Sequence, residues 1–160
     1  VETEFGMEKG HVVNFIPAQQ AGKIARDSGL TNSKGWCPVN QVTFESELLP
    51  GVHVIGDSCI AGKMPKSGFS ANSQAKVAAN HIRGSLTGSK IFGARYANTC
   101  WSLVGTNDGI KVGASYKAGD ESIEATSKFV SQTDEDSDTR KATYDESVGW
   151  YEGITTDMFS

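Results

Sequence analysis

Gly51 to Ile82 reads GVHVIGDSCIAGKMPKSGFSANSQAKVAANHI. Val52-His53-Val54-Ile55 is short and apolar, which predicts a buried strand. It closes on Gly56-Asp57, passes through a Gly/Pro/Ser loop and enters an alanine-rich segment. From Asn72 to about Arg83, the positions Ala71, Ala75, Ala78, Ala79 and Ile82 fall on one helical face, and their small side chains let a helix lie close on a sheet. Strand, loop and helix make half of an α/β unit. A lone strand and helix cannot bury both faces of a sheet, so this unit needs further layers.

The Gly56-Asp57 pair is the chemically informative part of that unit. An aspartate at the C-terminal edge of a strand can accept hydrogen bonds from a ribose or ribityl hydroxyl, and a glycine lets a ligand approach the backbone. The following helix start offers free N–H groups and the positive end of a dipole to a partial negative charge. On pattern alone, Asp57 equally well caps a turn.

The rest of the chain alternates short elements. Val1 to Phe5 alternates polar and apolar residues, and His11 to Ile16 reads as a second strand after the Gly6 to Gly10 turn. Ala18, Ala21, Ile24 and Ala25 recur at helical spacing, with Gly29 placed to end the helix. Val42-Thr43-Phe44 reads as a short strand. Ala94 to Leu103 and Ile110 to Tyr116 read as two strands joined through an Asp108-Gly109 hairpin signal. Ser122 to Val130 adds a short helix or a third strand. Ser131 to Thr139 is polar and acidic and reads as a mobile loop. Trp150, Tyr151, Ile154, Met158 and Phe159 then recur at roughly helical spacing, so the tail is expected to dock.

Composition narrows the function classes. At 160 residues the chain can bury one ordinary core or two small lobes. Up to Lys117 it carries 12 basic and 8 acidic side chains, and from Ala118 onward 3 and 11. The acidic tail reads as a solvated face or a patch for a cationic partner, and nothing resembles a nucleic-acid footprint. No stretch approaches the roughly 18 apolar residues of a membrane span, and the stretch after Val1 does not resemble a signal segment. Cys37, Cys59 and Cys100 form no CxxC pair, which argues against a zinc site or covalent haem. His11, His53 and His81 lie on separate elements and suggest structural roles rather than a triad or a metal site.

Beyond these local readings, TFESELLPGVHVIGDSCIAGKMPKSGFSANSQAK, with VVNFIPAQQAG, GLTNSKGWCPVN, YANTCWS and the terminal GWYEGIT, resembles the flavoprotein subunit of flavocytochrome c sulfide dehydrogenase. More broadly, Pro50 to Ile82 is similar to the last flavin-contacting segment of the two-dinucleotide-domain flavoprotein disulfide reductases. The resemblance implies an α+β chain. Residues 1–37 would end a second nucleotide-type domain, 38–88 would supply the last FAD-domain strand and helix, and 89–160 would form a β-rich lobe over the flavin.

The same resemblance implies the site. Asp57, with Gly56, would hold the FAD ribityl chain, and Lys66, Ser67, Gly68, Phe69 and Ser70 would form the loop and helix start against the flavin. Cys100 would be one of the two cysteines of a redox-active disulfide, opened by sulfide and passing two electrons to FAD. The other cysteine belongs to an earlier part of such polypeptides. Cys37 reads as a loop thiol and Cys59 as a packing residue, and no Cys37–Cys100 bond is expected.

Trp150 is a core anchor or, at the side of a haem subunit, an electron-transfer or interface residue. The implied partners are sulfide and a c-type cytochrome subunit, in the periplasm. No GxGxxG occurs, so the ADP-binding turn is not in this sequence. The chain is therefore expected to be the C-terminal part of a longer flavoprotein, unable alone to hold FAD tightly or oxidise sulfide. Two alternatives are a sulfide:quinone oxidoreductase, which would want a membrane-facing amphipathic C-terminus rather than an acidic one, and a non-enzymatic dimerisation or interface module.

Overall fold

Ser67 sets the start of the helix expected after the Gly/Pro/Ser loop. Its backbone is extended and its hydroxyl accepts the Ser70 N–H at 3.1 Å, so helix α2 begins at Gly68 and runs to Thr87. Gly88, left-handed at φ 70°, ends it by returning its N–H to the Gly84 carbonyl. These coordinates come from a computed structural model that describes residues 1–119 and 122–160. The buried face of α2 is Ser70, Gln74, Ala78 and Gly84. The helix therefore lies one residue around from the all-alanine stripe and buries two polar side chains near its start.

The C-terminal half builds an antiparallel sheet of β5 (Arg95–Gly105), β6 (Asp108–Ala118) and β7 (Ile123–Val130), in that spatial order. Thr106 and Asn107 form the two-residue turn between β5 and β6, with Asn107 accepting the positive φ (57°) that such turns require. Ser122 to Val130 thus resolves as a strand. Helix α2 closes the free edge of β5, where the Ala97 N–H bonds to Ser73 Oγ at 3.1 Å.

Helix α3 (Ser137–Phe159) lies on β6 with Thr143 buried, whereas Tyr151, Met158 and Phe159 of the tail expected to dock are exposed. Asp136 caps it by accepting the Thr139 N–H at 2.7 Å, a bond that also lowers the Asp136 carboxyl pKa. The expected loop from Ser131 to Thr139 accordingly stops at Asp136. Arg140 pairs with Asp108 at 2.6 Å, and Lys111 pairs with Glu146.

The approach between α3 and β6 is close because Gly109 has no side chain; a Cβ there would meet the Tyr144 backbone nitrogen at 2.8 Å. Gly109→Ala is expected to destabilise the fold by about 1–2 kcal/mol through overpacking. Thermal denaturation checks this. A melting temperature unchanged from the parent would mean that α3 can move aside freely.

The core gathers Val39, Phe44, Cys59, Met64, Ala78, Tyr96, Ala114, Tyr116 and Ile123. Phe44 meets Tyr96 edge to face, with ring centroids 5.6 Å apart. A second cluster joins Ala21, Ala25 and Cys37 under the short helix α1 (Lys23–Asp27). Helix α1 is followed by Gly29 at φ 73°, as its spacing predicts.

Several expected elements differ. His11 to Ile16 forms no strand: residues 1–20 are all exposed, and the only pairing there is the hairpin of β1 (Glu2–Thr3) with β2 (Gly6–Met7). Apolar extended residues without a backbone partner do not make a sheet. Val42-Thr43-Phe44 turns instead of extending, because Asn40 Oδ1 accepts the N–H groups of both Val42 and Thr43 and Phe44 takes φ 58°. Val52 to Ile55 is not a buried strand either. Only His53 bridges, to Glu45, and Val52 and Ile55 are each 38% exposed. Cys37, expected in a loop, sits in β3 (Cys37–Pro38), fully buried and paired in parallel with β4 (Cys59–Ile60).

Candidate functional site

The Gly56-Asp57 step follows from packing on α2. Gly56 has φ 73°, a left-handed backbone that favours glycine, and its N–H donates to the buried Gln74 Oε1 at 2.7 Å. Gly56, Asp57 and Ser58 form a single 3₁₀ turn leading directly into β4. The glycine is thus required by conformation, and its N–H is already used within the protein.

Asp57 is exposed on the rim of a cavity of about 190 Å³ that is also bordered by Trp36, Lys66, Ser67, Ser70 and Gln74. Lys66 donates to the carbonyls of Asp57 and Cys59, and its ammonium lies 3.9 Å from the centre of the Trp36 ring. Opposite stands the start of α2, a 20-residue helix whose first turn carries a positive end. An exposed carboxylate, an ammonium and a helix N-terminus around one opening form a donor and acceptor set suited to a polyhydroxylated, partly anionic ligand. The cavity is smaller than the roughly 300–1,000 Å³ of sites that enclose a drug-sized molecule, so it takes part of such a ligand.

Cys100 lies exposed on β5, opposite Val112 of β6, at a second and larger cavity of about 730 Å³. Its walls include Asn98, Val112, Ala114, Tyr116 and Phe129, with Lys63 and Lys128 at the edges. The two cavities are joined by one buried side chain. Asn98, 4% exposed, accepts at Oδ1 from the hydroxyls of Ser67 (2.5 Å) and Ser70 (3.2 Å), and its Nδ2 stands 3.5 Å from Cys100 Sγ.

All three cysteines are free. Burial pushes the Cys59 thiol up to about 11, against an opposing pull from the Lys66 charge, and burial also raises Cys37. Both are poor nucleophiles at neutral pH, which leaves Cys100 as the accessible thiol.

The structure therefore brings Gly56, Asp57, Lys66, Ser67 and Ser70 to one opening and ties Cys100 to it through Asn98. Gly68 does not line that opening, and Phe69 turns away to stack on Trp150 (centroids 5.5 Å, rings 17° apart) beside Trp101 (5.8 Å). Trp101 also meets Trp150 at 5.6 Å, so three aromatic rings knit α2, β5 and α3 together. Sequence reasoning passed over Trp36, Gln74, Asn98 and Trp101. Asn98 was findable, since residues two apart on a strand share a face, as Asn98 and Cys100 do.

His53 and His81 face each other at 6.4 Å, with His53 Nε2 and His81 Nδ1 buried and unpartnered. Among the described residues, no group of three metal-ligating side chains assembles.

Residues 93–159 match the family described as flavocytochrome c sulphide dehydrogenase, flavin-binding. The match spans Cys100, Trp101 and Trp150, whereas Asp57 and the start of α2 lie before it. The cofactor implied is FAD. The side chains around the smaller opening fit a part of it: a carboxylate for a hydroxylated chain, and cationic and N–H donors for electron-rich ring oxygens. No helix among the described residues is long and apolar enough to cross a membrane.

Proposed function

We propose that this chain supplies one wall of the active site of an FAD-dependent sulfide dehydrogenase that delivers electrons to a c-type cytochrome subunit in the periplasm. The observation that carries the reading is an exposed Cys100, within the flavin-binding family match, on a large apolar cavity and linked by Asn98 to the helix start beside Asp57.

In this reading Cys100 is half of a disulfide whose second cysteine is neither Cys37 nor Cys59. Hydrosulfide attacks that disulfide, breaking its S–S bond and forming a new one, so that one cysteine becomes a persulfide and the other a thiolate. Over a turnover, hydrosulfide yields zero-valent sulfur, one proton and two electrons, and two ferric haems are reduced. Bound FAD supplies the conversion between a two-electron donor and one-electron acceptors. Asp57 would accept from a ribityl hydroxyl. Lys66, with Ser67 and Ser70 at the start of α2, would face partial negative charge on the ring. Trp150, stacked on Phe69, would serve electron transfer or the cytochrome interface.

A second reading, an interface module, draws on the exposed Val148, Tyr151, Met158 and Phe159 of α3. The complete FAD-loaded enzyme whose active site this chain helps to wall is tested with sulfide and either ferricytochrome c or a soluble ubiquinone analogue. Sulfide-dependent reduction of cytochrome c is expected, with little quinone reduction. Preferential quinone reduction would favour the sulfide:quinone alternative, and no reduction of either would leave the interface reading.

A further inference from the structure

We infer that Asn98 is the positioning residue of Cys100: its amide N–H holds the sulfur and stabilises the thiolate, and its orientation is set by the two serines that begin α2. The inference rests on the reading of Cys100 given above and adds to it the group that readies the thiol.

The argument is one of inventory. A side-chain amide has one acceptor oxygen with two lone pairs and one NH₂ with two donors. Ser67 Oγ accepts the Ser70 N–H, so its own hydrogen is free to go to Asn98 Oδ1. Ser70 Oγ donates to the same oxygen at 3.2 Å. Both lone pairs are then used, and the 2.5 Å contact to Ser67 fits an O–H···O bond and is too short for an N–H···O one, which keeps the amide oxygen on the serine side. The sulfur lies 3.5 Å from Nδ2 and 3.9 Å from Oδ1, so the donor faces it more closely. Asn98 is 4% exposed, so its amide is held within the protein rather than by solvent.

An N–H directed at sulfur favours the ionised form, because hydrogen bonds to charged acceptors are the stronger ones. Other groups face the same cavity. Lys63 is paired with Glu124 at 2.5 Å, Lys128 stands at the edge, and Tyr116 is a phenol raised by burial and by the Cys100 charge. None of these forms a hydrogen bond with the sulfur. Asn98 is the polar side chain in hydrogen-bond contact with it among the described residues.

The test is site-resolved alkylation of Cys100 by iodoacetamide in the reduced, FAD-loaded protein, read by peptide mass across pH. Asn98→Ala is expected to slow alkylation at neutral pH about tenfold and move the midpoint of the pH–rate profile upward. Asn98→Asp keeps the shape but replaces the donor by a negative charge, and should slow it further. Should Asn98→Ala not fold, Asn98→Leu, which keeps the bulk and adds neither donor nor charge, decides in its place. Profiles with unmoved midpoints in the folded variants overturn the inference, even where the rate falls, since altered packing changes access without changing ionisation. Turnover is read separately. Were Cys100 not catalytic, Cys100→Ser would keep its activity while the alkylation result stood.

Discussion

Cys100→Ser in the FAD-loaded protein is expected to lower sulfide-dependent cytochrome c reduction at least about a thousandfold. A serine hydroxyl forms neither a disulfide nor a persulfide, so the variant removes the step itself rather than slowing it. The fold and the flavin should be untouched. Cys100 is exposed and stands outside the opening bordered by Asp57 and Lys66, so its replacement leaves the residues proposed to hold the cofactor in place. The measurement is therefore paired: stopped-flow reduction of ferricytochrome c by sulfide, and the visible absorbance of bound flavin. A rate within about tenfold of the parent, with flavin retained, would remove Cys100 from the mechanism. Loss of flavin would show instead that the two cavities are coupled more tightly than the Asn98 bridge alone requires.

The elements legible in the sequence are those whose signals are local. The small apolar stripe from Ala71 to Ile82 announces α2 by local spacing alone, although the helix runs from Gly68 to Thr87, beyond the expected Asn72 to Arg83, because Ser67 and Gly88 cap it. The β5–β6 hairpin is legible for the same reason, although the turn falls on Thr106 and Asn107, a step before the Asp-Gly pair. The unreadable parts depend on partners far along the chain. Nothing near Cys37 announces that Cys59 will lie beside it in a parallel pair.

Apolar runs mislead where burial is decided elsewhere. His11 to Ile16 has the composition of a strand, but among the described residues no edge pairs with it, and Val42-Thr43-Phe44 is drawn into a turn by Asn40. At the site, the roles of Asp57 and Cys100 came from resemblance to a family. The bonds that tie Cys100 to the start of α2 come from geometry. Asn98 meets serines 31 and 28 residues earlier, a juxtaposition that no spacing rule contains.

Between pH 9 and 11 the fold is expected to lose about 2–3 kcal/mol of stability on account of Cys59 alone. The thiol is buried, and its folded pKa is raised by that burial from the ordinary 9.0 to about 11. In this interval the unfolded chain has released the proton and the folded chain still holds it, so raising the pH favours unfolding. The contribution is complete below pH 9 and gone above about pH 11.

Local bonding sharpens the cost. The Cys59 S–H donates to the Gly56 carbonyl at 3.1 Å and lies 3.8 Å from Gln74 Oε1, so a thiolate there would face two oxygen acceptors with nothing to give them. Those are the atoms that fix the Gly56-Asp57 turn. Flavin should therefore be released in the same interval in which stability falls. Tyr96, also raised by burial, adds its own loss above its ordinary 10.0, so the comparison is made against Cys59→Ala. Urea unfolding from pH 7.5 to 11 should show the variant weaker at the start but with the flatter profile. Parallel profiles for the two proteins would mean that the Cys59 thiol ionises in the folded state as readily as in the unfolded chain.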